Sequence, residues 1–216
     1  MAKQIEGVYE KVLECAKAEF LEKGFQEASL RTIARNAGTS TGSIYTRFSD
    51  KNGLFSAIVS PVEEELKAWF LAEQESFDRL PSNQKKEKAL KSSAHRINAF
   101  TDRIYRHFDI FKLLLTCSEG TPYADFLHEL VEMDVAYTVR FIESIGSDAL
   151  SSGRVTDKLL HILSSAFFSG IFEIVVHDMT REEADIYISQ LWKFFLSGWE
   201  SILNGERMGC PETSSI

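Results

Sequence analysis

Between Ser40 and Phe48 the chain carries Thr41, Gly42, Ser43, Tyr45, Thr46 and Arg47 around one apolar residue, Ile44. Short hydroxyl side chains at 41, 43 and 46, with a guanidinium at 47, can donate and accept hydrogen bonds without bulk. That is the chemistry required to probe base edges in a DNA major groove, which is about 12 Å wide. Gly42 would let the backbone approach a phosphate or a thymine methyl. Elsewhere the sequence offers little chemistry. The five histidines (His95, His107, His128, His161, His177) lack metal-ligand spacing, and no HExxH, paired CxxC, phosphate-cradling glycine loop or nucleophile elbow occurs. Folding could bring His107 and His128 together, but a lone histidine is usually structural. No catalytic residue, metal or cofactor is therefore expected, and an enzyme is disfavoured. Cys15, Cys117 and Cys210 lie far apart and read as isolated thiols.

The elements that must present these groups are helices. Ile5, Val8, Val12, Leu13, Ala16, Phe20 and Leu21 recur every three or four residues, and Gly24 is placed to stop that helix. Ser29 caps a short helix with Leu30, Ile33, Ala34 and Ala37, closed by Gly38. Thr39 and Ser40 open a third, and Ser49-Asp50 caps a fourth containing Leu54, Phe55, Ile58 and Val59. Two short helices joined by a tight turn at Gly38 have helix-turn-helix spacing. Segments 62–78, 84–107, 109–118, 122–145, 156–178 and 181–204 are also helical by pattern. No period-2 run of useful length appears. The fold class expected is all-α, about nine helices, with an N-terminal three-helix domain and a larger helical body.

Charge separates the two parts. Residues 1–58 hold eight Lys and Arg against seven Asp and Glu; residues 59–216 hold sixteen against twenty-five. The net charge of −8 thus comes from the body. A near-neutral head on an acidic body suggests modules with different partners. The boundaries read are 1–58 for the head, 59–205 for the body and 206–216 for a disordered tail. At 44% apolar and 26% charged residues the composition is that of a globular chain. No run of 18 uncharged apolar residues occurs, which argues against a membrane span, and the N-terminus lacks the apolar core of a secretory signal. A cytoplasmic location is expected.

Thr39-Ser40-Thr41-Gly42-Ser43-Ile44-Tyr45-Thr46-Arg47-Phe48, followed by Ser49-Asp50-Lys51-Asn52-Gly53-Leu54, resembles the signature of TetR-family transcriptional regulators. Phe20-Leu21-Glu22-Lys23-Gly24-Phe25 upstream and the Ile33-Ala34, Ala37-Gly38 pairs are similar to the same family; together the motifs cover about residues 8–58. The resemblance implies an all-α homodimer with a DNA-binding head and an effector-binding body, released from its operator by ligand. Carried over by position, Tyr45 and Lys51 would contact phosphates, and Ser29 and Thr32 would touch the DNA backbone. Thr41, Ser43 and Thr46 would face bases, while Phe48 and Leu54 would be core. Three departures stand out. Thr39 occupies a usually apolar position, which would weaken packing under the turn. Tyr9 replaces an often basic residue, and Asn52-Gly53 replaces an acidic pair, giving a poorer first turn of the fourth helix.

The last two long segments carry more apolar surface than a helix covered on one side needs. Leu163, Phe167, Gly170 and Ile174, with Leu191, Phe195, Trp199 and Ile202, are the residues expected at a four-helix dimer interface. A twofold dimer would set its reading helices about 34 Å apart, matching a palindromic operator. Aromatics in the body, Phe100, Phe108, Phe111, Phe126, Tyr137, Phe141 and Phe167, are candidates to line a cavity for a small, mostly apolar effector. Asp134 and Glu173 fall near apolar stripes and could select a cationic or hydroxylated ligand. The partners expected are double-stranded DNA, a small molecule and a second copy of the chain. The overall reading is a ligand-responsive DNA-binding regulator of the repressor kind that an effector releases from its operator, although the residues themselves do not distinguish repressor from activator. The alternative is a helical small-molecule-binding or interaction protein that no longer reads DNA.

Overall fold

A computed structural model describes residues 2–85 and 93–205, with side chains described for 7–85 and 95–205. Among the described residues the secondary structure is helical throughout. Nine helices are bounded within the described residues, in order: α1 (Ala2–Glu27), α2 (Leu30–Ala37), α3 (Thr41–Phe48), α4 (Lys51–Asp78), α5 (Ser93–Arg106), α6 (Phe108–Thr116), α7 (Phe126–Ser144), α8 (Asp157–Val176) and α9 (Arg181–Asn204); positions 82–85 are also helical. The expected tail, 206–216, and part of the expected 84–107 helix lie outside the described residues.

Local chemistry accounts for most boundaries. Gly24 adopts φ 73° and breaks the helical path inside α1, as the stop signal predicts. The Ser29 hydroxyl accepts from the Thr32 N–H at the start of α2, and Gly38 closes that helix in the left-handed conformation. Thr180 and Glu183 form a reciprocal capping box at the start of α9. The fourth helix departs from expectation. Positions 51–59 and 62–78 form a single helix, α4, which continues through Pro61. The 58/59 boundary therefore falls within a continuous helix rather than in a linker.

Burial crosses that boundary too. One hydrophobic core runs from Val12 and Phe20 in α1, through Ile33, Ile44 and Phe55, to Phe111, Phe126, Phe172 and Ile188 in the body. Phe20, Phe25 and Phe55 pack mutually, with the Phe20–Phe55 rings 5.1 Å apart and edge-on. Phe55 also meets Tyr123 at 6.0 Å, the Phe25 N–H bonds the Cys117 carbonyl at 3.1 Å, and Lys17 pairs with Asp109 at 3.0 Å. These contacts fasten the head to the loop after α6 and to α6 itself. Ile142, Ala149, Val155 and Leu160 form a smaller cluster beyond the main core.

Helix α8 is long and apolar enough by composition to span a bilayer, with a mean hydropathy of 1.9, although the sequence has no fully uncharged run. It packs against α6, α7 and α9.

Two sequence expectations for α8 and α9 change. Ile174 is wholly buried within the chain, so it cannot sit in a dimer interface. Gly170 serves a crossing inside the chain: a Cβ there would stand 3.1 Å from Leu191, and the Tyr187 hydroxyl donates to the Gly170 carbonyl at 2.9 Å. Leu163, Phe167, Phe195 and Trp199 turn towards an interior cavity. The large apolar side chains of these two helices that do face outward are Ile162 (60% exposed), Val176 (45%), Ile186 (64%) and Phe194 (75%). Helical periodicity gives the width of an apolar arc but does not say which partner covers which side.

Candidate nucleic-acid interface and interior cavity

Helix α3 stands on two apolar feet, Ile44 and Phe48, both buried. Ser40 caps it, accepting from the Ser43 N–H at 3.1 Å, so its first turn is fixed without help from α2. Gly42, Ser43, Tyr45 and Thr46 are exposed and Thr41 is half-exposed. Tyr45 is 54% exposed, far more than a packed aromatic would be. The Ser43 and Ser40 hydroxyls lie 3.0 Å apart, and the Thr46 hydroxyl donates to the Gly42 carbonyl at 2.9 Å. Thr46 therefore presents an oxygen acceptor outward while its proton is held by the helix.

Two predicted contacts have a different geometry. Arg47 is exposed, but its guanidinium lies over the Tyr9 ring, 4.6 Å from the centroid, and Tyr9 stacks on Phe48 at 5.6 Å. Arg47 is thus drawn to the α1 side of α3. Tyr9, read as a lost phosphate contact, is its packing partner. The Lys51 ammonium donates to the carbonyls of Gln26 (2.8 Å) and Ala28 (3.1 Å) and lies over the Phe25 ring. It closes the end of α1, and one of its three protons remains for a phosphate.

Ser29 and Thr32 are half-buried at the N-terminus of α2. The Ser29 N–H donates to the Glu19 carboxylate at 3.0 Å, so α1 fixes where α2 begins. Gly53, read as a weak start to α4, has a steric reason. A Cβ there would overlap the Phe48 carbonyl oxygen, and its N–H donates to the Asp50 cap at 2.7 Å. Ser49 takes φ 68° in the same turn. The α3–α4 junction is therefore set by close backbone approach. Thr39 is half-buried, and its N–H bonds the Ala34 carbonyl at 2.9 Å, closing the turn after α2.

In the body, cavities of about 230 and 140 Å³ adjoin one another and share Gln74, Arg96, Asp134, Phe167 and Trp192 in their walls. Tyr137, Phe141 and Phe167 line the larger and Phe100 the smaller, as expected. Phe108, Phe111 and Phe126 do not line either. Phe111 and Phe126 are fully buried and pack on Phe172, and the Phe108 ring lies tilted against Tyr105 at 5.3 Å. Glu173 pairs with His177 at 2.8 Å instead of facing the cavity. Sequence periodicity missed Arg96, Trp192 and Leu196 as lining residues, because α5 had no assigned neighbour and the apolar sides of α9 were given to the dimer interface.

The polar part of this wall is Asp134, Ser164 and Arg96. The Ser164 hydroxyl donates to Asp134 at 2.7 Å. Burial raises the Asp134 pKa above the ordinary carboxylate value, and the Ser164 hydrogen bond and the Arg96 charge oppose that rise. Burial lowers the Arg96 pKa, with Glu73 and Asp134 acting against it. A half-buried acid near a half-buried guanidinium, in a wall otherwise mostly aromatic, suits an apolar ligand with a single polar or cationic group. His107 lies 3.7 Å from Glu65, and the ring that His128 meets is His161. Cys15 is half-buried and Cys117 buried, both free; Cys210 lies outside the described residues.

Comparison with known proteins bears on both regions. The sequence profile described as bacterial regulatory proteins, tetR family, matches residues 12–58. An uncharacterized HTH-type transcriptional regulator of Bacillus subtilis (strain 168), YvdT, is 47% identical over 58 residues, a match spanning 27% of this chain and 30% of the relative. Among solved structures, NalD of Pseudomonas aeruginosa, the secondary repressor of the MexAB-OprM multidrug efflux pump, superposes with a TM-score of 0.58. It is 22% identical, covering 90% of this chain and 96% of its own. The fatty acid degradation regulator FadR of Bacillus halodurans superposes with a TM-score of 0.54 at 14% identity, covering 88% and 98%. These likenesses show a shared fold across both parts of the chain. The helix-turn-helix pattern, its geometry and the match over residues 12–58 make the N-terminal part of this chain similar to the segment shared by tetR-family bacterial regulatory proteins, and the match spans 30% of the relative's length.

Proposed function

We propose that the protein is a cytoplasmic, ligand-responsive transcriptional regulator that binds a palindromic operator as a homodimer and is released from it by a small, mostly apolar effector. Residues 1–58 read DNA, and 59–205 bind the effector and the second subunit. The observation that carries this reading is the outward polar face of α3: Thr41, Gly42, Ser43, Tyr45 and Thr46 exposed or half-exposed above buried Ile44 and Phe48. Ser29, Thr32, Arg47 and Lys51 flank it as backbone contacts. Such a face on a rigid base suits base readout from 41, 43 and 46 and phosphate positioning from 45 and 51.

The repressor sign follows the function given for NalD, whose fold this chain shares. The dimer reading rests on Ile162, Ile186 and Phe194, which leave an apolar strip on α8 and α9 uncovered by the chain itself. The effector reading rests on the aromatic cavity with Asp134 and Arg96 in its wall. An effector shifts the operator equilibrium only by the difference in its affinity for the two head spacings.

Electrophoretic mobility shift with the gene's own upstream region tests the reading. A salt-sensitive, sequence-selective shift is expected, with a two-subunit stoichiometry. A protein that binds small molecules in the cavity but gives no selective shift at low salt is instead a helical binding protein that has lost DNA recognition. The internal engagement of Arg47 and Lys51 is the observation that favours this second reading.

A further inference from the structure

His128 and Glu132 stand one turn apart near the start of α7, and residues at i and i+4 share one helix face. His161 projects from α8 against that face. Its Nδ1 lies 3.1 Å from the Glu132 carboxylate, and the two imidazole rings are 5.7 Å apart. One donor atom from each of the three side chains falls within 4.8 Å of the others. Around a tetrahedral ion with bonds of about 2.0–2.2 Å, neighbouring donors stand about 3.3 Å apart. The His161–Glu132 pair already meets that spacing. The remaining adjustment, at most about 1.5 Å, falls to His128, which is exposed and can close it by a change of rotamer.

We propose that His128, Glu132 and His161 form a binding site for a divalent transition-metal ion of the zinc class, bridging α7 and α8. Two imidazoles and one carboxylate are a borderline donor set, suited to Zn²⁺, Co²⁺ or Ni²⁺, whereas Mg²⁺ and Ca²⁺ prefer oxygen throughout. A simple ion pair between His161 and Glu132 would account for two of these groups. It leaves the second imidazole on the same face without a role, and the metal supplies one. Packing of α7 on α8 holds the two backbones at a fixed separation, so the three donors do not have to be gathered from a flexible loop. The groove beside them is lined by Val135, Asp157, Lys158 and Ile162 and is open to solvent, leaving a fourth position for water. The same helix pair is joined further along by the Ser164–Asp134 hydrogen bond in the cavity wall. A bound ion would thus clasp α7 to α8 beside that wall. The site stands whether or not the protein reads DNA.

The test is titration of the full-length chain, free of any histidine tag, with Co²⁺ followed by visible absorption, and with Zn²⁺ in competition with a chromogenic chelator. One ion per chain is expected, with the d–d intensity of a tetrahedral or five-coordinate centre and no thiolate charge-transfer band. His128→Ala, Glu132→Gln and His161→Ala should each weaken binding about tenfold or more while circular dichroism shows the helices intact. His177→Ala, which removes an exposed histidine paired only with Glu173, should leave binding unchanged. Three results would overturn the proposal: affinity indifferent to the three substitutions, a thiolate band marking cysteine ligation, or no uptake below millimolar ion.

Discussion

The guanidinium of Arg47 lies 4.6 Å from the centre of the Tyr9 ring, and Tyr9 in turn stacks on Phe48. A residue of the reading helix is therefore tied to α1 through an aromatic intermediary. Tyr9→Ala removes a cation–π contact and a ring stack together, with a cost of about 1–2 kcal/mol in folding free energy. Urea unfolding measures the loss. Tyr9→Phe, which keeps the ring, should retain most of the stability.

Tyr45 and Thr41 separate positioning from readout. Tyr45→Ala should weaken binding to operator and random duplex by a similar factor, because a phosphate contact carries no sequence information. Thr41→Ala should change the preference at one base pair, by about 1–3 kcal/mol if its contact is a good one. Competition shifts against a panel of single-base operator variants distinguish the two. Equal losses for both variants on every duplex would remove the assignment of roles.

Two glycines eleven positions apart, Gly42 and Gly53, should respond in opposite directions. At Gly53 a methyl group would overlap the Phe48 carbonyl, so Gly53→Ala forces the α3–α4 turn to shift and should cost about 2 kcal/mol or more. At Gly42 the nearest atom to a new Cβ is the Ser40 hydroxyl oxygen at 3.7 Å, an ordinary contact. Gly42→Ala should therefore stabilise the fold by about 0.5–1 kcal/mol, through helix propensity. Its effect on operator affinity reports whether the backbone there approaches DNA.

Asp134 should leave a signature in the pH dependence of stability. Burial raises its folded-state pKa above the unfolded value, so the folded chain holds its proton to higher pH. Its contribution is then fully present below the unfolded pKa and is lost as pH rises through the folded one. Asp134→Asn should melt higher than the wild type at neutral pH, and the difference should shrink on acidification towards pH 4. Thermal melts across that range check the sign, and a difference that grows on acidification would refute it.

Phe194 is 75% exposed on α9, and Ile162 and Ile186 are similarly uncovered. If the chain pairs through this face as proposed, Phe194→Asp should leave a monomer where the wild type is a dimer, read by light scattering after size exclusion, without lowering helix content. Ile174→Asp, by contrast, places a carboxylate in a fully buried site and should unfold the chain.

What the sequence disclosed depended on the distance over which each feature acts. Ser29, Gly38, Ser40 and Asp50 were legible as caps because a cap is made within three or four residues. The outward set on α3 was legible for the same reason: one turn of helix fixes which side chains oppose Ile44. Gly53 was misread because its constraint comes from a carbonyl across a turn, which composition does not reveal. Ile174 and Gly170 were misplaced because both apolar sides of α8 look alike until α6, α7 and α9 are packed around it. Phe111 and Phe126 were indistinguishable by type from Tyr137 and Phe141; only packing sorts a core ring from a cavity ring. The nearness of His161 to His128 and Glu132 depends on two helices meeting, and no spacing within either one encodes it.

Because α4 continues from Lys51 through Pro61 to Asp78, it is a single beam about 42 Å long at 1.5 Å per residue. Near one end Phe55 is wedged beneath the head, and near the other Gln74 and Phe77 form part of the cavity wall. If a ligand enters that cavity as proposed, pushing the far end aside would tilt a rod whose opposite tip carries α3. The arithmetic is that of a pointer: a small angle at the wall becomes a displacement at the head, less what the helix gives up at Pro61, where one backbone hydrogen bond is missing.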